Sequence, residues 1–270
     1  MLWICQTCGV EHADTPEVCA ICADERQWVP AEGQQWATLN ELAKAGHQTQ
    51  LRELEPDLYG LTVEPGVGIG QQAHLVVTPG GNLLWDPPGY LDSEGVRRIR
   101  ELGKVAAIAA SHPHMFGVQV EWSRALGDAP VLVSEPDMEW VARPDPAIRA
   151  WKAPLEVVPG ITLLQPGGHF PGSAVAHWAA GADGGGVLLG GDTIQANPDR
   201  KSATFMRSYP NRIPLSAAVV DRVTRAVEEL SFERLYDNFG HTIASNARTV
   251  VRDSADRYMG WVQGDFDHLT

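Results

Sequence analysis

The chain has 270 residues, 44% hydrophobic and 20% charged, which excludes intrinsic disorder and leaves room for one large domain with a small appendage. No stretch approaches the ~20 consecutive apolar residues of a membrane-spanning helix. A net charge of −13 argues against nucleic acid, which needs a basic face to neutralise its phosphates.

All four cysteines lie in the first 22 residues, as Cys5-Gln6-Thr7-Cys8 and Cys19-Ala20-Ile21-Cys22. Two C-x-x-C pairs with ten residues between them have the spacing of a closed four-thiolate site, each pair turning two sulfurs toward one tetrahedral ion. Met1-Leu2-Trp3-Ile4 has neither the length nor the basic start of a secretion signal. The thiols are therefore expected to stay reduced, in the cytoplasm, rather than pair as disulfides. The segment resembles a short rubredoxin-like knuckle or zinc ribbon through its C-x-x-C-G run, Pro16 and Trp3, and departs from that pattern at Ala23 after the second pair. Zinc is the expected ion and iron the alternative. Residues 1–30 are too few for a core of their own, so metal is expected to stabilise them. A closed site has no open position for substrate. The module is expected to be structural, either joining two copies as a homodimer or covering its own cleft.

Residues 31–57 read as a linker carrying one helix, opened by the capping box Thr38-Leu-Asn-Glu41 and closed at Gly46. From Leu58 to the C-terminus strands and helices are mixed. Ala73–Thr78 and Leu83–Asp86 read as a hairpin about Pro79-Gly-Gly-Asn82, residues 93–102 as a helix, and the apolar run 105–110 as a buried strand. Further strands are expected near 130–134, 160–164, 174–178 and 187–190, then amphipathic helices over 215–230 and 246–262.

Several of the nine histidines sit at expected strand ends. His112 and His114 follow the strand 105–110; two apart in extended chain, they would project to one side. His169 lies in the turn Gly167-Gly168-His169-Phe170-Pro171-Gly172, Asp192 follows Gly190-Gly191, and His241 follows Gly240. Core packing needs neither the glycines nor the strand-end positions, so the set points to a metal site at the rim of a sheet.

These motifs resemble the metallo-β-lactamase superfamily, across about residues 58–265. His112-Pro-His114-Met-Phe116-Gly117 matches its H-x-H-x-D-H run, Gly168-His169-Phe-Pro-Gly172 its third histidine turn, Gly191-Asp192 its G-D turn, His241 its last histidine, and Leu84-Trp85-Asp86 its first-hairpin motif. The resemblance implies an α/β fold, an αββα sandwich with a metal cleft at the sheet edges. Phe116 and Gly117 stand where the family places second-ion ligands, so one zinc, or alternatively one iron, is expected at His112, His114 and His169 with Asp192 and His241. The implied activity is metal-dependent hydrolysis of a small ester, thioester or phosphoester. Asp192 or His241 would serve as base, with Asp86 and His74 as supporting groups. Two alternatives stand beside it. One is a mononuclear iron oxygenase or redox protein using His112, His169 and Asp192, because superfamily relatives include persulfide dioxygenases and flavodiiron proteins. The other is a non-catalytic, metal-stabilised binding protein. The segment after Asp192 is locally basic, and Arg207, Tyr209 and Arg212 are the expected holders of an anionic substrate group.

Overall fold

The computed structural model describes residues 2–270. The N-terminal module contains β1 (Trp3–Cys5), β2 (Glu11–His12), α1 (Ala20–Ala23) and β3 (Trp36–Ala37), with the order β2-β1-β3 in its small sheet. Helix α2 (Leu39–Lys44) carries the expected capping box, with the Thr38 side chain on the Glu41 N–H and the Glu41 carboxylate on the Thr38 N–H.

The segment read as a helical linker ends earlier than expected. Gln48–Glu55 is strand β4, paired antiparallel with β5 (Leu58–Glu64) at the edge of the first main sheet. Gln48, Gln50, Arg52 and Glu53 are exposed, and the buried positions are Thr49, Leu51 and Glu55. Only Leu51 and Leu54 are apolar, so this edge strand shows little of the apolar alternation that marks a strand in sequence.

The first sheet continues through β6 (Ala73–Val76), β7 (Asn82–Trp85), β8 (Val105–Ala109), β9 (Val131–Ser134) and β10 (Ile148–Trp151), in unbroken spatial order from β4 to β10. Its strands are antiparallel up to β7 and parallel from there. Helices α3 (Ser93–Glu101) and α4 (Gln119–Ala125) connect the parallel strands. The second sheet has β11 (Leu155–Val158), β12 (Ile161–Leu164), β13 (Val175–Trp178) and β14 (Val187–Leu189). Two short ribbons follow, β15 (Gln195–Ala196) with β16 (Ala203–Thr204) and β17 (Met206–Ser208) with β18 (Ile213–Pro214). Helix α5 (Ala217–Glu228) then leads to β19 (Arg234–Tyr236) and β20 (Thr242–Ile243), which complete the second sheet before α6 (Ala247–Gln263).

Strand alternation divides the apolar runs between layers. Leu83 and Trp85 point into the core between the sheets, whereas Leu84 points to the opposite face. On β14, Val187 and Leu189 meet that same inter-sheet core, and Leu188 joins Val220, Val223 and Val251 beneath α5 and α6. The result is the αββα sandwich. The Cys-rich module does not stand apart from it: Ile4, Val10 and Ile21 share one continuous core with Leu61, Leu75, Leu84, Phe116 and Trp122. No helix among the described residues is long and apolar enough to cross a membrane.

Candidate functional site

In the module, Cys5, Cys8, Cys19 and Cys22 are all buried, and their sulfurs gather at one point. Cys5 and Cys22 Sγ lie 3.6 Å apart, and Cys8 and Cys19 Sγ 3.9 Å. A tetrahedral ion with Zn–S bonds of ~2.3 Å requires sulfur separations of about 3.8 Å, so the cluster fits a four-thiolate metal. The Gln34 side chain donates to Cys5 Sγ at 3.0 Å, and His12 Nε2 lies 3.4 Å from Cys19 Sγ. Neither partner carries a signal in the sequence beyond lying near the cysteines.

The second cluster forms where strand ends of the two sheets converge. Ser111 and His112 follow β8, His169 lies in the loop between β12 and β13, and Asp192 follows β14. His114 reaches the cluster by a different route from the one expected. Extended chain stops at His112, and Pro113 opens a 3-10 turn over Pro113–Met115 that brings His114 round. His112, His114, His169 and Asp192 each bring one ligand atom within 4.8 Å of the others. Asp192 Oδ2 lies 3.6 Å from His112 Nε2 and 3.9 Å from His169 Nε2, and His114 Nδ1 lies 3.5 Å from His169 Nε2. Tetrahedral ligands at ~2.0–2.1 Å from a zinc ion are about 3.4 Å apart, close to what these atoms already show.

Two of the three imidazoles are oriented by hydrogen bonds outside the cluster. His169 Nδ1 lies 3.0 Å from the Met206 carbonyl, which can only accept, so Nδ1 carries the proton and Nε2 keeps its lone pair. His112 Nδ1 meets Ser111 Oγ at 2.9 Å, leaving Nε2 toward Asp192. Buried His112 Nε2 and Asp192 Oδ1 have no hydrogen-bond partner among the described residues. Burial holds His112 and His114 well below the usual histidine range, reinforced by the neighbouring His169, and lowers His169 to about 4. Burial, then the Asp86 and Asp237 carboxylates, pushes Asp192 up to about 8. Three neutral imidazoles beside a carboxyl that lacks a counter-cation form a donor set that a divalent ion completes.

The other expected residues lie outside the four-residue cluster. Buried Asp86 adopts φ +57 and accepts the Ser111 N–H at 2.5 Å, bracing the turn that begins the histidine run. His74 is fully buried on β6 with its ring edge-on to Tyr236. His241 stays outside the four-residue cluster, its Nδ1 3.1 Å from Asp237 Oδ2. Tyr209 lines the cleft and donates its hydroxyl to the Asp192 carbonyl at 3.1 Å. Arg207 is paired with Glu25 at 2.5 Å, and Arg212 is exposed with φ +55.

Phe116 is buried, and Gly117, at φ +51, has no room for a side chain: a Cβ there would lie 2.1 Å from the Pro87 carbonyl oxygen. The Gly117 carbonyl instead accepts the Glu11 N–H of the module at 3.0 Å. Gly68 makes a similar allowance, since its Cβ would meet Gly9 N at 2.3 Å. The knuckle is thus seated by backbone against backbone.

Seated there, the module becomes one wall of a cleft of about 280 Å³ whose floor holds His114, His169 and Asp192. Thr7, Arg26, Gln27 and Trp28 come from the module, facing Tyr209 and Phe239. Arg26 is the residue that sequence reasoning missed. The sequence offers only a basic residue shortly after the second cysteine pair, whereas the contact that gives it meaning spans 143 positions, from Nε to the His169 carbonyl at 2.7 Å.

No protein-family model matches the chain. It is 44% identical to the uncharacterized protein YmaE of Bacillus subtilis (strain 168), over 98% of each chain. Among solved structures, VMB-1 aligns with a TM-score of 0.59 at 12% identity, over 79% of this chain and 98% of its own. The DIM-1 metallo-β-lactamase aligns at 0.56 and 14%, over 78% and 97%. The Flv1 flavodiiron core from Synechocystis sp. PCC6803 aligns at 0.52 and 13%, over 79% and 61%. At such identities the likeness is one of architecture, and the architecture is the metallo-β-lactamase fold.

Proposed function

The chain belongs to the family of Bacillus subtilis YmaE, and from that family's metallo-β-lactamase fold and the cleft just described we propose that it is a metal-dependent hydrolase of a small ester, thioester or phosphoester. The observation that carries this reading is the convergence of His112, His114, His169 and Asp192, the last three of which line an open cleft. The centre is mononuclear in this account, because Phe116 and Gly117 offer no further ligand and the module occupies the space beside them. Zinc is the ion proposed at both clusters, and the four free thiols suit a reducing cytoplasm.

An ion held there would supply a Lewis acid and lower the pKa of water toward ~7. The rest falls to the chain's own residues. His112, His114 and His169 would hold the ion as neutral imidazoles, His112 oriented by Ser111 and His169 by the Met206 carbonyl. Asp192 keeps Oδ1 free of hydrogen bonds, which makes it the acceptor for a proton released during attack. His241, hydrogen-bonded to Asp237 and two residues from Phe239 on the cleft wall, is the candidate to pass that proton to solvent. Tyr209 fixes the Asp192 backbone through its hydroxyl and walls the substrate.

Turnover of ester, thioester and phosphoester panels by zinc-loaded protein, run with and without oxygen, tests this proposal. Hydrolysis that persists under strict anaerobiosis and disappears in Asp192→Ala is the expected result. Activity that requires oxygen would overturn hydrolysis in favour of redox chemistry at His112, His169 and Asp192. Absence of turnover at full metal occupancy would favour a binding protein.

A further inference from the structure

The side chain that the Cys-rich module brings to the cleft is a cation. Arg26 is 6% exposed, with its guanidinium carbon 4.0 Å from the centroid of the Phe170 ring. Nε donates to the His169 carbonyl at 2.7 Å and Nη1 to Asp24 at 2.8 Å, while Nη2 has no hydrogen bond to any described residue. A largely buried guanidinium that lines a ligand-sized cleft and has one nitrogen without a protein partner has a donor to offer a ligand. The cleft mouth supplies an independent sign of a ligand. Trp28 is 51% exposed and Phe239 39% exposed, two large apolar side chains lining the same cleft, one from the module and one from the sandwich. Paired exposed aromatics about a polar floor are the usual anatomy of a small-molecule site.

We propose that Arg26 is the anion-holding residue of this cleft, and that the substrate is a small monocarboxylate with an apolar body lying between Trp28 and Phe239. The inference rests on the hydrolytic reading above and narrows its substrate class. The neighbouring charges select a single negative charge over a phosphate dianion. Asp24 already engages one edge of the guanidinium, and Glu25 pairs with Arg207. Arg26 is the one Lys or Arg among the described residues lining the cleft, so on the module's side a second negative charge on the ligand would face Asp24 without an unpaired cation. The geometry also gives the four-cysteine cluster a task. Arg26 lies four residues beyond Cys22, so the metal that folds the knuckle also fixes the guanidinium in the cleft. Arg26 acts by binding and orienting, with no proton or electron transferred through it.

Calorimetric titration of zinc-loaded protein with two thiols provides the test. Mercaptoacetate and 2-mercaptoethanol offer the same soft sulfur to the ion, and only the first carries a carboxylate. Wild-type protein should bind mercaptoacetate about tenfold or more tightly than 2-mercaptoethanol, the worth of one charge-assisted hydrogen bond. Arg26→Gln should bring the two affinities together, and Arg26→Lys should restore part of the preference. A purely structural Arg26 would weaken both thiols alike in Arg26→Gln and leave their ratio unchanged, which would overturn the proposal. Equal affinities in loaded wild-type protein would overturn it as well, and that comparison stands even if Arg26→Gln fails to fold. A chain that takes up no ion at His112, His114, His169 and Asp192 would instead refute the hydrolytic reading itself, a result that metal counting separates from the others.

Discussion

Asp192 is the residue on which the centre's charge depends. Its carboxyl is buried with two other carboxylates in its field and three neutral imidazoles in front of it. Asp192→Asn should therefore reduce metal content by one ion per chain and leave the thiolate ion in place, as read by elemental analysis. Gly117 makes a prediction of a different kind. Alanine there would combine a left-handed backbone with a Cβ 2.1 Å from a carbonyl oxygen, costing about 2 kcal/mol or more in chemical denaturation. At this scale the histidines and Asp192 were legible because each sits beside glycine or proline at the end of an apolar run, a context that packing does not require. Arg26 was not, because its partner lies in another segment: it meets His169 across 143 positions. His12 lies only seven residues from Cys19, and nothing beyond that proximity marks it in the sequence. The placement of His114 was legible in outcome and wrong in cause, since a proline-led turn replaces the strand alternation that would have brought it to the same side.

The elements followed the sequence wherever local chemistry fixed them. The Thr38–Glu41 box, the hairpin of β6 and β7, and the amphipathic stripes of α5 and α6 all stand near their expected positions. Removing the cap in Thr38→Ala deletes an acceptor for the Glu41 N–H and should lower stability by about 1 kcal/mol; an unchanged urea midpoint would show that the helix draws nothing from it. Strand β4 escaped because pairing with the adjacent β5, rather than its own apolar content, makes it a strand. Its last residue, the buried Glu55, accepts from Arg234 and from Tyr236, the latter at 3.2 Å, so the strand's end is anchored by residues about 180 positions away.

Across the whole molecule, the module and the sandwich are joined by a shared core and a buried ion pair. Glu11 is 2% exposed, accepts the Val120 N–H at 2.6 Å and pairs with Arg143 at 2.5 Å. Glu11→Ala leaves Val120 without its acceptor and Arg143 with Glu121 as its remaining partner, and should cost about 3 kcal/mol. The loss should appear as one cooperative transition at lower temperature; two separated transitions would show that the module unfolds independently. Sequence supplied the module as a metal knuckle and the sandwich as a cleft-bearing domain. That the first walls the cleft of the second followed only from the seating of backbone on Gly68 and Gly117, where the absence of side chains leaves little for sequence reading to notice.

The central claim is a single-ion centre at His112, His114, His169 and Asp192, separate from the thiolate ion of the module. Counting metal in wild-type protein and in His114→Ala, with crystallographic anomalous scattering at the zinc edge to place each ion, tests it most directly. Two ions per wild-type chain, one in each cluster, and one ion in the variant, held by the four cysteines, are the expected result. A third ion beside Phe116 and Gly117, or a variant that keeps both ions, would contradict it.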